Sequence, residues 1–335
     1  MKVPKERASV SVAGGTGPGP GRSYGAGFTS GRAGGVGFGF GGEASLGLPG
    51  GRVVEILDVG DLSGVPVFFQ PGSPNTRIMG RLWHPAAVAA GARLIAVSRP
   101  GYDGSTAVVG RPMLSMAGAD IADLADLLGI EEYGVVGSSG GGPFAVAAAA
   151  ADPERVRALA VVAGAGPWRE IADASFEPEE RACLARLDAG DLAGARDGMR
   201  HLIENVWQAD LRALDGQARL RAWLGDDPLA GDETYRSIMA DAMRAVLDGT
   251  EGAIFDALAI GAGWDIDLDR IRAETRLWYG DADEVCPVTY GRWYADRIAA
   301  AEIVVLPGAG HLAVADAHRS EVLTAVTGGV SRPRP

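Results

Sequence analysis

Ser139 stands at the centre of Gly137-Ser138-Ser139-Gly140-Gly141, directly after the apolar residues Val135 and Val136 and before an alanine-rich stretch of helical character. A strand that turns sharply into a helix at such a pentapeptide lifts one hydroxyl clear of the backbone, where it can attack an electrophilic carbon. The nucleophile of such a turn adopts a strained backbone, and side chains at the flanking Gly137 and Gly141 would clash with the strand or the helix. Register selects Ser139 over Ser138, because Ser138 would need glycine where the chain has Val136.

A serine nucleophile needs a base, and histidine serves best near neutral pH. The chain has four: His84, His201, His311 and His318. His311 follows the apolar run Ile303-Val304-Val305-Leu306 and the turn Pro307-Gly308-Ala309-Gly310, which places it at the carboxyl edge of a sheet, where ligands of open α/β sheets bind. His84 and His201 lie in helical stretches and read as structural, and His318 as solvated. The base needs an acid to orient it. Asp283, after the strand-like Leu277-Trp278-Tyr279-Gly280, is the leading candidate over Asp281, which is placed to cap the turn, and Glu284. The loop after the run Val161-Val162-Ala163 offers no rival carboxylate.

Attack on a carbonyl builds an oxyanion that backbone N–H groups must receive. The Gly140 N–H, next after the nucleophile, is one expected donor. The second should come from the loop after Val65-Pro66-Val67-Phe68-Phe69-Gln70. There Pro71 and Pro74 have no N–H, which leaves the Ser73 N–H as the candidate.

The order Ser139, Asp283, His311 and five motifs together resemble the α/β-hydrolase superfamily, within its capped esterase, aminopeptidase and C–C hydrolase relatives. The likeness spans roughly Arg52 to Gly328. Phe69-Gln70-Pro71-Gly72-Ser73-Pro74 resembles that group's His-Gly-x-Pro oxyanion loop. Ser98-Arg99-Pro100-Gly101-Tyr102-Asp103-Gly104-Ser105 resembles its Asp-x-Pro-Gly-x-Gly-x-Ser loop. The elbow, the loop Gly280-Asp281-Ala282-Asp283 and Gly310-His311 complete the set. Two departures stand out. Pro71 occupies the usual histidine position of the oxyanion loop, and Ser98 the usual aspartate position of the next. The resemblance implies a Ser–His–Asp hydrolase of small-molecule esters or lactones with no cofactor. A proline iminopeptidase-like aminopeptidase and a C–C bond hydrolase would use the same three residues. A hormone-receptor-like or scaffold role on this fold would not require an aligned base and acid.

These residues need a scaffold, and the alternation of apolar runs with amphipathic stretches supplies one: a mostly parallel central sheet flanked by helices, the α/β-hydrolase fold with an inserted helical cap. Strands are expected near 52–59, 65–70, 92–98, 133–137, 157–163, 275–280 and 301–306, the first ones as an antiparallel hairpin. Helices are expected near 78–90, 115–128, 140–151, 288–299 and 312–327. The core would comprise residues 52–167 and 264–330. Between them, residues 168–263 read as a helical cap over Ser139. Leu192, Ala195, Met199, Leu202, Ile203 and Val206 form one face of a cap helix. Trp168, Trp207, Trp223 and Tyr235 are its candidate pocket aromatics, each also suited to simple packing. The cap carries 19 acids against 10 arginines, so it could bind a substrate amine or simply present a solvated acidic face.

Residues 1–51, where 17 of the 50 glycines crowd between Gly14 and Gly51, read as a disordered tail too poor in apolar area to offset its ordering entropy. It lacks the apolar core of a secretory signal. Cys183 and Cys286 lie too far apart in sequence to suggest a disulfide scaffold, and nothing resembles a metal motif. A net charge of −12 disfavours nucleic acid as a partner of the main body, and no apolar run is long enough to span a membrane. The expected setting is the cytoplasm, the expected partner a small-molecule substrate, and the sequence leaves the oligomeric state open.

Overall fold

The computed structural model describes residues 42–171, 178–224, 231–299 and 301–330. Eight strands form one sheet in the order β1-β2-β4-β3-β5-β6-β7-β8. They are β1 (Gly42–Gly47), β2 (Val53–Gly60), β3 (Val65–Gln70), β4 (Ala92–Ser98), β5 (Tyr133–Ser138), β6 (Val156–Val162), β7 (Glu274–Gly280) and β8 (Glu302–Leu306). β2 runs antiparallel to β1 and β4, and every pairing from β4 to β8 is parallel. Parallel neighbours need crossovers, and helices provide them.

Side-chain alternation in the strands sorts the core into two layers. Phe68, Val135, Leu159 and Leu277 face α2 (Leu114–Leu127), α3 (Gly142–Ala151) and α10 (Val288–Ala295). Val67, Phe69, Val136 and Trp278 face α1 (Gly80–Ala90) and α11 (His311–Gly328). Nine of the ten residues of α3 are buried. A helix that is apolar on every side belongs inside, and its alanines let it lie close against β5.

Between β6 and β7 the described residues form helices joined by loops, with no strand among them: α4 (Pro178–Asp188), α5 (Leu192–Leu202), α6 (Ala209–Ala213), α7 (Gly216–Leu224), α8 (Glu233–Leu247) and α9 (Glu251–Gly261). Its core joins Leu184, Leu187, Ala195, Met199 and Leu202 to Ile254 and Leu258 of α9.

Three expectations need correction. β1 starts at Gly42, inside the stretch read as tail; its alternating, half-exposed GEASLG gives little strand signal alone and gains its backbone partners from β2. Residues 1–41 lie outside the described residues. The antiparallel hairpin is therefore β1–β2, whereas β3 pairs with β4 and β5. Val206 is exposed, although Ala195, Met199, Leu202 and Ile203 are buried as one face. The helix winds as a π-turn over Ile203–Trp207, and the extra residue per turn carries Val206 off that face.

Candidate active site

Ser139 sits where β5 ends and a 3-10 turn, Ser139–Gly141, leads into α3. Its φ of +52° is in the left-handed region that side-chain-bearing residues rarely adopt. Glycines make the turn possible. A Cβ on Gly137 would lie 2.6 Å from the Ala145 methyl, and one on Gly141 2.6 Å from the Pro71 carbonyl oxygen. The loop after β6 braces the elbow from beneath: Ala165 N–H donates to the Ser139 carbonyl at 3.0 Å, while Tyr279 and Tyr294 hydroxyls donate to the Gly164 and Ala165 carbonyls.

The loops after β7 and β8 are laced together. Ala282 N–H donates to the Ala309 carbonyl at 3.2 Å, and the Asp281 carboxylate accepts from Gly308 N–H at 2.6 Å. Asp281 therefore caps the turn, and Glu284 is exposed. This lacing brings Asp283 to His311, the first residue of α11. His311 Nδ1 lies 2.8 Å from Asp283 Oδ2, and His311 Nε2 lies 2.9 Å from Ser139 Oγ. The other carboxylate oxygen, Oδ1, accepts from Val285 and Cys286 N–H groups, both at 2.8 Å. The Asp283 side chain is fully buried, so these three bonds replace its hydration. A carboxylate facing Nδ1 keeps the proton there and leaves Nε2 as an acceptor for the serine hydroxyl.

Cys286 is the other nucleophilic side chain nearby. Burial, then the Asp283 charge, push its thiol well above the usual range, so it stays protonated at neutral pH and is no rival to Ser139.

The loop after β3 also adjoins Ser139. A Cβ on Gly72 would be 3.1 Å from Ser139 Cβ, and one on Gly140 would be 3.0 Å from Ser73 N. The backbone segments bearing both expected oxyanion donors, Ser73 and Gly140, thus adjoin each other beside Ser139.

A buried network beneath that loop escaped sequence reading. Arg99, just after β4, pairs with Asp256 of α9, its Nη2 2.6 Å and Nε 2.8 Å from the carboxylate oxygens. Both side chains are only 1% exposed. Burial alone would lower the Arg99 pKa, but the Asp256 carboxylate outweighs it and holds the guanidinium charged. Ser73 and Tyr102 hydroxyls also donate to Asp256 Oδ2. A signal existed: Asp256 is a lone acid among Ala253, Ile254, Phe255, Ala257 and Leu258, and a charge on such a face needs a partner.

The Ser98 departure also resolves. Asp103, at the position of the second glycine of the resembled loop pattern, has φ +48° and accepts from the Ser98 hydroxyl at 2.6 Å. It also pairs with Arg77, whose backbone N–H donates to Ser98 Oγ at 3.0 Å. The carboxylate absent from position 98 is supplied five residues later.

The remaining described candidates make contacts away from the Ser139–His311–Asp283 cluster. Trp168 donates to the Gly261 carbonyl, with Arg169 over its ring at 5.0 Å, tying the post-β6 loop to α9. Tyr235 is buried with Leu220, Leu224 and Met239. The side chains of Trp207 and Trp223 lie outside the described residues. His84 Nδ1 accepts from Gly60 N–H at 3.0 Å, while His201 and His318 bond Asn205 and Glu321 within their own helices. Among the described residues, no helix is long and apolar enough to cross a membrane.

A mostly parallel sheet flanked by helices, with a strained serine at the end of β5, defines an α/β protein of the hydrolase type. The sequence model of the alpha/beta hydrolase family matches residues 67–325, and the chain belongs to that family of hydrolases. It is 26% identical over 230 residues, 68% of this chain and 73% of the relative, to a 2-hydroxy-6-oxo-6-phenylhexa-2,4-dienoate hydrolase of Burkholderia cepacia. Among solved structures, an alpha/beta hydrolase fold protein from Nakamurella multipartita shares 26% identity at a TM-score of 0.58, covering 86% of this chain and 99% of its own. An esterase from Exiguobacterium antarcticum, 21% identical, matches the fold at a TM-score of 0.58 over 86% of this chain and 100% of its own.

Proposed function

We propose that this protein hydrolyses small-molecule esters or lactones through an acyl-enzyme on Ser139. The observation that carries the reading is the unbroken run of hydrogen bonds from Ser139 Oγ through His311 to Asp283, with Ser139 held at positive φ. His311 Nε2 takes the hydroxyl proton as Ser139 Oγ attacks the carbonyl carbon. Asp283 stabilises the imidazolium that forms. Ser73 and Gly140 N–H groups receive the oxyanion, and the positive end of α3 adds a favourable field. Collapse expels the alcohol, protonated by His311. Water, activated by the same imidazole, then releases the acid. Residues 168–263 act as a cap that shapes the acyl and alcohol pockets, over a core of 52–167 and 264–330.

The aminopeptidase reading needs a free carboxylate for a substrate amine. Among the described residues of the segment, Asp256 is paired with Arg99, Glu251 with Arg196 and Arg200, Asp188 with Arg169, and Asp241 with Arg81 and Arg244. These four carboxylates are thereby committed to arginines. Carbon–carbon cleavage remains a second reading because of the likeness to the Burkholderia cepacia hydrolase. It requires, in addition, a proton delivered to a carbon leaving group.

Treatment with a fluorophosphonate, followed by peptide mass spectrometry, tests the reading. The adduct is expected on Ser139 and absent from Ser139→Ala. A folded wild-type protein that takes up no probe and turns over no ester, lactone or vinylogous diketone rejects it.

A further inference from the structure

The oxyanion side of the site has no obvious fixture of its own. Pro71 has neither an N–H nor a hydrogen-bonding side chain, and Gly72 has no side chain at all. Something else must hold the Ser73 N–H in place. One guanidinium reaches all three residues of the loop. Arg99 Nη1 donates to the Pro71 carbonyl at 2.6 Å, and Nη2 donates to the Gly72 carbonyl at 3.4 Å and to Ser73 Oγ at 3.1 Å. The Gly72–Ser73 peptide is trans, so its N–H points opposite to its C=O. Drawing the Gly72 carbonyl toward Arg99 therefore turns the Ser73 N–H away from Arg99, in a loop where Gly72 adjoins Ser139 and Ser73 adjoins Gly140.

Arg99 is itself fixed. Asp256 engages its Nε and Nη2 in a two-point fork, and the Phe144 ring lies 4.7 Å beneath its Cζ. Tyr102 and Ser73 hydroxyls satisfy the remaining capacity of Asp256 Oδ2. Fork geometry of this kind restricts orientation as well as distance, which an ammonium group cannot do.

We infer that Arg99, oriented by Asp256 of α9, is the positioning residue for the Ser73 oxyanion donor, and that it couples the helical segment between β6 and β7 to the reaction centre. This rests on the acyl-enzyme reading above. Neither residue touches substrate; they act through the peptide they aim.

The test compares wild type with Arg99→Lys and with Arg99→Met/Asp256→Leu. The lysine variant keeps the buried charge opposite Asp256 but loses the fork. The double variant removes both charges, which buried pairs often tolerate when packing volume is kept. Both are expected to fold, with kcat lowered about a hundredfold, KM changed less than about threefold, and the pH dependence of kcat/KM unmoved. Affinity for a boronic acid, which forms a tetrahedral adduct on Ser139, should fall with kcat, whereas affinity for the carboxylate product should not. A purely structural pair would leave that contrast absent. Folded variants with wild-type kcat and boronate affinity, beside a wild type that labels at Ser139, overturn this inference alone. A wild type that neither labels nor turns over overturns the hydrolase reading and this inference with it.

Discussion

The two sides of Ser139 are held by different means. Toward His311, backbone groups set the geometry: adjacent N–H groups grip Asp283, and main-chain bonds lace its loop to the histidine loop. Toward Ser73, a side-chain ion pair between residues 157 positions apart does the holding. Backbone fixtures tolerate side-chain change around them. A fixture made of one buried pair fails when either member changes, because the other is left as an uncompensated charge.

The largest effect should come from the backbone-held side. Asp283→Asn keeps an acceptor for the Val285 and Cys286 N–H groups, so the fold should persist with little change in thermal midpoint. The amide no longer favours the proton on His311 Nδ1, and kcat should fall about 10³- to 10⁴-fold. A loss below tenfold in steady-state assays would mean that the imidazole is oriented by other groups.

On the other side, stability should respond first. Asp256→Leu alone strands the buried Arg99 charge and should cost about 3–5 kcal/mol in urea unfolding. Adding Arg99→Met should recover part of it, since the charge is gone but the Tyr102 hydroxyl and Pro71 carbonyl lose their partners. With the Arg99→Met single variant completing the cycle, a double variant whose loss equals the sum of the two single losses would show that the pair is not coupled.

The smallest effect concerns the loop after β4. Asp103→Gly relieves a left-handed φ but deprives Arg77 and Ser98 of their shared carboxylate, for a net loss of about 1–2 kcal/mol. Ser98→Asp in that background should restore stability, whereas in the wild type it should crowd a second carboxylate beside Asp103. A double-mutant cycle measures the coupling; additivity would deny the exchange.

The contrast also explains what could be read beforehand. Ser139, Asp283 and His311 each follow an apolar run and a glycine turn, local patterns that survive without knowledge of tertiary contacts. The core elements were equally legible, because alternation and helical periodicity are local. β1 was not, since Glu43, Ala44 and Ser45 have no intrinsic preference strong enough to reveal a strand that exists through pairing with β2. Val206 misled because a π-turn breaks the period on which helix faces are read. Arg99 and Asp256 each looked ordinary; their meaning lies in a contact between distant segments.

β6 and β7 are adjacent in the sheet, with Val162 opposite Trp278, so the chain leaves for its helical excursion and returns one strand over. Nothing in the strand order depends on the excursion's content. Recombination could exchange α4 to α8 for another set of helices and present a new pocket to old chemistry. Such an exchange has a natural limit at α9, because Asp256 is bound to Arg99 of the core and not only to the neighbouring helices. A chimera joined before Glu251 keeps the partner of Arg99; one joined after Gly261 must bring its own answer to the Arg99 charge.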